Sequence, residues 1–491
     1  MVGGRKLAGM ALAAGLTLAG LTAGPMAADA AGTPCGGTGS VTSDNGPLGD
    51  GATFLIECPA GAWNGTLFLY SHGYVEPGAS NPAQDTTDQV TRGWLLGHGY
   101  ALAGSSYAMT GWSVQSALTD QVATVRIFDQ TYGRPSHTVA WGVSLGGMIT
   151  AGLIQDYPGL FSAALPMCGV LSGGVATWNI ALDAAFAFKT LLAPTSPLQL
   201  VHITGNPLAN LEVAEQILAT AQATPQGRAR IALAAALGDT PGWYATGSPE
   251  PAATDYNDQE AAQFEWDANV DFPFIFDFRQ QLESVAGGNP SWNIGVNYVQ
   301  DLSKSADLAE VNALYQAAGL NLNADLATLD STPRISADPF AVAYMSRYIA
   351  YDGEITVPTL TVHTTGDGLV VPENEQAYRA VVDRDGNGAL LQQLFVARAG
   401  HCAFTPAEIV TAIQVLLNRL NTGQWNVPDP ATLNADAADL GPEFNIYEIN
   451  NAIVPIAPAF TSYFPAPYLR PFDLPPLFPF AGAAASARIV Q

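Results

Sequence analysis

At residues 139–152 the chain reads VAWGVSLGGMITAG, a β-rich apolar run that meets Gly142-Val143-Ser144-Leu145-Gly146-Gly147 and passes into a helix-like stretch. One serine among small residues at a strand-to-helix junction fits the Gly-x-Ser-x-Gly pattern of a nucleophile elbow. Its hydroxyl would stand at the carboxyl edge of a sheet, at the positive end of a helix dipole. A glycine-rich turn without chemistry is the plain alternative. Serine needs a base, and histidine is the usual one. The chain has 6 histidines. His72 precedes a turn glycine, His98 sits near a helix end, and His137 begins a strand. His202 and His363 lie within apolar runs, where a satisfied core role is expected. His401 follows a strand and precedes the last long helix, in a loop where a histidine has little structural purpose, and it is the expected base. The base needs an acid to orient it. Asp367, in the loop after TVHTTG, is expected to serve; an Asx turn is its plain alternative, and Glu373 at a helix start is a weaker candidate. The chain order Ser144, Asp367, His401 is the one that accompanies this elbow. An oxyanion formed in acyl transfer needs two backbone N–H groups. Leu145, directly after the serine, should supply one, and Tyr74, after His72-Gly73, the other.

Bringing these residues together takes a regular scaffold. From Gly51 onward ATFLIECP, GTLFLYSHGY, YALAGSSY, HTVAWGVS and FSAALPMCG read as strands. Between them TTDQVTRGWLLGHG, SVQSALTDQVATVRIFDQTYG and LGGMITAGLIQDYP read as helices. Such alternation implies a parallel sheet with helices on both faces. The rhythm breaks near Leu171, and mainly helices follow, LANLEVAEQILATAQ, TPQGRARIALAAAL and ADLAEVNALYQAAG among them. It resumes with the strand VPTLTVHTTGDGLVVP, the helix ENEQAYRAVVD, the strand ALLQQLFVARAGH and the helix TPAEIVTAIQVLLNRLN. That last helix opens on a capping box, Thr405-Pro406-Ala407-Glu408, with proline at the first helical position. The intervening helical segment is far longer than an ordinary connection. After Gln424 the chain turns rich in proline and aromatics, which predicts an extended arm packed on the body and ending in an Ala-rich tail.

Composition narrows the function. Nearly half of the 491 residues are hydrophobic, and acids outnumber bases 43 to 18, for a net charge of −25. That balance argues against nucleic acid or an anionic membrane surface as a partner. The start, with Arg5 and Lys6 before an uncharged apolar run and the small-x-small triplet Ala28-Asp29-Ala30, reads as a signal peptide cleaved near Ala30; a membrane anchor is the alternative. No later segment reads as membrane-spanning, so the mature chain is expected outside the cell. In an oxidising compartment the 4 cysteines admit three pairings. Cys35 and Cys58 flank a turn-rich stretch and are expected to pair, which leaves Cys168 with Cys402; two buried, unpaired thiols are the alternative. The spacings fit no zinc pattern. Asp383–Gly388, DRDGNG, resembles the start of a calcium loop, but Leu394 stands where the closing Glu would be. A polar turn is expected there, and no metal site. The aromatic run DFPFIFDF, Asp271–Phe278, is either core of the helical segment or wall of a substrate site.

LYSHGY, WGVSLGG, TGDGLVVP and AGHCAFT, in that order and spacing, resemble the α/β-hydrolase superfamily. SHGY is also similar to the Gly-Tyr oxyanion turn of secreted cutinase-like polyester hydrolases, which lack so large an insertion and have a different elbow. The resemblance implies an α/β-hydrolase fold over residues 31–170 and 355–425, with a helical cap over 171–354 and a C-terminal arm over 426–491. It implies a serine hydrolase that cleaves carboxylic esters, small or polymeric, through an acyl-enzyme and without a cofactor. A peptidase or amidase with the same triad is the alternative, and Glu265, Asp267 and Asp271 could bind a charged terminus. An acyltransferase is a third reading. The helical segment carries Trp178, Trp243, Trp266 and Trp292 and few basic residues, so a roofed site with a preference for neutral, apolar acyl groups is expected.

Overall fold

The computed structural model describes residues 34–449 and 451–473; the expected leader and the Ala-rich tail lie outside the described residues. Eight strands carry the main sheet in chain order: β1 (Thr42–Pro47), β2 (Thr53–Cys58), β3 (Thr66–Ser71), β4 (Ala101–Ser105), β5 (His137–Val143), β6 (Ala163–Met167), β7 (Thr359–Gly366) and β8 (Leu391–Ala399). Their spatial order is β1-β2-β4-β3-β5-β6-β7-β8. β1 and β2 run antiparallel to their neighbours, and β4-β3-β5-β6-β7-β8 are parallel. Parallel strands are covered on both faces, which is why β3 reads TLFLYS with every residue buried. Alternate residues divide between the two layers. Leu67 and Leu69 face a core built with α2 (Val114–Tyr132) and α3 (Leu145–Asp156). Phe68 and Tyr70 face the opposite core, built with α1 (Gln89–Gly97) and residues 406–422. β1 was not foreseen. Its sequence, TSDNGP, has the composition of a turn, and only its edge position, largely exposed, tolerates it.

Between β6 and β7 the chain is helical. α4 (Gly174–Leu192), α5 (Pro207–Gln222), α6 (Pro225–Gly238) and α7 (Tyr256–Trp266) come first. Two π-helical turns follow, Asp267–Asp271 and Phe274–Phe278, and then α8 (Arg279–Ala286), α9 (Tyr298–Leu302), α10 (Leu308–Ala318), α11 (Leu322–Ser331) and α12 (Pro339–Arg347). α6 is the centre of this layer: Ile231–Gly238 are all buried, as expected of a helix apolar on every side. These helices have their own core, which includes Phe186, Phe188, Leu233, Phe272 and Phe276.

α13 (Glu373–Arg384) and α14 (Pro406–Thr422) complete the alternation, and α14 carries the expected capping box. Asp383–Gly388 closes α13, where Asn387 Nδ2 donates to Asp385 Oδ2 at 2.6 Å. The arm is more regular than its composition implied. Asp429 caps α15 (Pro430–Asp439), β9 (Ile446–Ile449) pairs with β10 (Ala452–Pro455), and β11 (Phe460–Thr461) extends the sheet antiparallel to β8. His202 also departs from expectation. It is no core histidine: its side chain is 56% exposed, 3.6 Å from Asp338. Both disulfides form as expected, Cys35–Cys58 and Cys168–Cys402. Among the described residues no helix is long and apolar enough to cross a membrane.

Candidate active site

Ser144 sits between β5 and α3 with φ 58° and ψ −125°, a left-handed conformation that a non-glycine residue holds only under constraint. The surrounding glycines are explained by space. A Cβ on Gly142 would come within 2.5 Å of Ser71 O and 2.6 Å of Gly146 O. One on Gly146 would overlap Ser71 O, and one on Gly147 would meet Met167 O at 2.7 Å. The elbow is thus wedged between β3 and β6, and side chains there would push it out. As the first residue of α3, Leu145 offers an N–H that no carbonyl of its own helix can take.

His401 Nε2 lies 2.8 Å from Ser144 Oγ. Its Nδ1 faces Asp367 Oδ2 at 2.8 Å and Oδ1 at 3.0 Å. The N–H groups of Leu369 and Val370 also donate to Asp367 Oδ1, at 3.1 and 3.0 Å. The Asx turn and the contact with His401 therefore coexist; the turn is what aims the carboxylate. Burial alone would raise the Asp367 pKa, but the charges and hydrogen bonds of His401 and His363 outweigh it and hold the carboxyl down at about 2. His363 is buried beneath this site. Its Nε2 faces Val370 O at 2.7 Å and its Nδ1 faces Glu375 Oε1 at 3.1 Å, the satisfied core role expected of it. Glu373 is buried at the head of α13, while the Nδ1 of His401 is taken by Asp367. Cys402, with φ 53°, and Cys168, with φ 42°, are bridged beside the site. The Cys402 sulfur is 3.4 Å from His401 Nε2.

Tyr74 lies on the loop after β3. Gly73 before it approaches the elbow so closely that a Cβ there would touch the Ser144 Cβ at 3.4 Å. His72 stacks on Tyr107 with ring centroids 3.9 Å apart, and its Nδ1 lies 2.8 Å from Gly73 O. These two residues shape the turn. Tyr107 gave no signal in the sequence beyond standing at a strand end.

Ser144 and Leu145 border a cavity of about 110 Å³. A cavity of roughly 150 Å³ is known to hold one benzene, so this one is on the scale of a single ring. Its walls include Tyr74, Trp112, Trp178, Ile180 and Phe274. The run Asp271–Phe278 serves both roles considered for it, because its two faces part. Phe272 packs on Phe188 at 4.8 Å in the helical core, while Phe274 packs on Tyr74 at 4.9 Å in the cavity wall. Trp243 and Trp266 press on Gly366 and Gly368, on either side of Asp367. Glu265 is exposed. Asp267 and Asp271 border the cavity, and no Arg or Lys among the described residues does. Burial pushes Asp267 up to about 8 and Asp271 well above the carboxylate range. Burial thus favours the protonated form of both carboxyls over the charged form that a cationic terminus would need.

A parallel sheet in this order, with an elbow after β5, a carboxylate after β7 and a histidine after β8, defines an α/β-hydrolase. The chain belongs to the tannase-like family of unknown function (DUF6351), whose model matches residues 51–299. It is a hydrolase of the esterase and amidase kind. It is 29% identical over 449 residues to an o-phthalyl amidase of Xanthobacter agilis, an alignment spanning 84% of this chain and 95% of that one. Among solved structures it is similar to feruloyl esterase B of Aspergillus oryzae, with 12% identity over 78% of this chain and 81% of the other, at a TM-score of 0.38. A rice cell wall degrading esterase, LipA of Xanthomonas oryzae, shows 16% identity over 70% of this chain and 77% of its own, at a TM-score of 0.30.

Proposed function

We propose that this chain is an exported serine hydrolase that cleaves carboxylic esters with a neutral, ring-sized apolar acyl group. Ser144 Oγ attacks the carbonyl carbon while His401 Nε2 takes its proton. Asp367 holds the imidazole and stabilises its charged form. The N–H groups of Leu145 and Tyr74 receive the oxyanion. His401 then returns the proton to the leaving alcohol, and water activated by the same histidine releases the acid. The observation that carries this reading is the unbroken hydrogen-bonded chain from Ser144 through His401 to Asp367 at the edge of an apolar cavity. The helices between β6 and β7 act as a cap, and two disulfides fit an oxidising compartment.

Amide hydrolysis is the second reading, favoured by the likeness to an o-phthalyl amidase. The same constellation would serve, with His401 protonating an amine instead of an alkoxide. Matched pairs of aryl esters and anilides sharing one acyl group decide between them by kcat/KM. Faster turnover of every ester supports the proposal; anilides cleaved faster than their esters would replace it with the amidase reading.

A further inference from the structure

The described part of the C-terminal arm crosses from the sheet to the cap and on its way enters the wall of the cavity. β11 first anchors it to the sheet edge, with Phe460 opposite Val396. The chain then runs to α13, where the Tyr468 N–H donates to Gln376 Oε1 at 3.0 Å. Two residues on, Arg470 enters the cap. Its Nη1 lies 2.8 Å from Asp183 Oδ2 on α4, and its Nη2 donates to Trp292 O at 2.7 Å. The Arg470 and Asp183 side chains are 2% and 3% exposed, so the ion pair is a buried one. Asp473 closes the run against Arg384 at 2.8 Å.

Between these anchors, Tyr468 and Leu469 are buried against Ala176 and Ile180 of the cap and Val371 and Ala377 of the core. The Tyr468 ring belongs to the same cavity wall as Ile180 and Val371, in the cavity that Ser144 borders. A tyrosine combines large area with few rotatable bonds, and a backbone tied on both sides leaves it nowhere to swing.

We propose that the C-terminal arm is a fixed wall of the substrate cavity and that Tyr468 is a specificity-determining residue whose ring limits the size of the acyl group. The inference rests on the reading of Ser144 as nucleophile. The arm is then the third part of the site, after the sheet that supplies the triad and the cap that supplies the roof. Its sequence position, over three hundred residues past the elbow, hides the connection.

The test is a series of p-nitrophenyl esters from acetyl to dodecanoyl, read as kcat/KM for the wild type, Tyr468→Ala and Tyr468→Phe. Removing the ring should raise the ratio of long-chain to short-chain kcat/KM by about tenfold or more, the scale on which a pocket distinguishes a few methylenes. Tyr468→Phe keeps the ring and should keep the wild-type ratio. If Tyr468→Ala does not fold, Tyr468→Leu should shift the ratio in the same direction by less. An unchanged ratio, or a uniform slowing of every ester, overturns the proposal. Failure of the underlying reading looks different: wild-type enzyme would resist fluorophosphonate, and Ser144→Ala would keep its ester activity.

Discussion

Removing the Cys168–Cys402 bridge by the double substitution Cys168→Ala/Cys402→Ala tests how the fold holds His401 in place. The bridge spans 234 residues of sequence, so closing that loop in the unfolded chain stabilises the fold by about 5.5 kcal/mol in the chain-entropy model. Cys35–Cys58 spans 23 residues and contributes about 3.4 kcal/mol by the same arithmetic, roughly 2 kcal/mol less. Native strain offsets part of what the longer bridge contributes. Cys168 and Cys402 have φ values of 42° and 53°, and each left-handed residue costs about 1–2 kcal/mol. If the loop relaxes once the bridge is gone, about 2–4 kcal/mol returns, leaving a net loss of about 1.5–3.5 kcal/mol. Relaxation, however, moves Cys402 and with it the adjoining His401. Stability and activity are therefore linked: a small loss of stability must come with a large loss of kcat, about tenfold or more. A loop that stays in place keeps kcat and loses the full 5.5 kcal/mol or so. Urea unfolding of the wild type, of Cys168→Ala/Cys402→Ala and of Cys35→Ala/Cys58→Ala, with kcat on one aryl ester, measures both quantities. A Cys168→Ala/Cys402→Ala enzyme with wild-type kcat and a stability loss under about 1 kcal/mol refutes the reasoning.

Arg470→Ala should cost about 3–5 kcal/mol in equilibrium unfolding, because it leaves Asp183 buried and unpaired, whereas Arg384→Ala should cost under about 1 kcal/mol, since its pair with Asp473 is half exposed; equal costs would contradict this. Burial holds Asp267 up at about 8, Glu260 at about 7 and Glu310 at about 9, against roughly 4 when unfolded. The folded chain thus keeps protons that the unfolded chain releases, so stability falls as pH rises between about 4 and 9. The melting temperature should be several degrees higher at about pH 5.5 than at about pH 8.5, and a flat or rising profile would sink the assignment of these carboxyls. Asp367 works oppositely: its carboxyl is held at about 2, so its contribution disappears only as pH falls from roughly 4 toward 2. With an apolar wall and no Arg or Lys among its described residues to pair with an anion, an aryl ester carrying a carboxylate on its acyl ring should have kcat/KM at least about tenfold below its neutral analogue, because its charge would be desolvated without a partner; faster turnover of the anion would show that the wall reads charge differently.

The meeting of Ser144, His401 and Asp367 was legible because each is tied to a strand end, and strand ends are where hydrophobic runs stop. Ser144, Asp367 and His401 stand three such places apart in sequence and meet within 2.8 Å contacts. The glycines around Ser144 were legible as a turn, but their reason, the close approach of Ser71 and Met167, needs the sheet order. What was missed was local backbone geometry that no residue type announces, and pairing with neighbours distant in sequence. His202 reads as apolar by its flanks, yet a left-handed turn at φ 51° puts it on the surface. The run Asp271–Phe278 could be given only one role by inspection, because its division between core and cavity follows from the π-helical turns. α15 carried its signals in plain view, Asp429 before Pro430, but the prolines around it masked them. Nothing local marks Arg470 as the partner of Asp183.

The most direct test of the account is where a fluorophosphonate bonds. Intact mass followed by peptide mapping should find one adduct, on Ser144, rising in step with the loss of ester hydrolysis and absent from a folded Ser144→Ala variant. An adduct on another residue, or full hydrolytic activity in the labelled or Ser144→Ala protein, would contradict it.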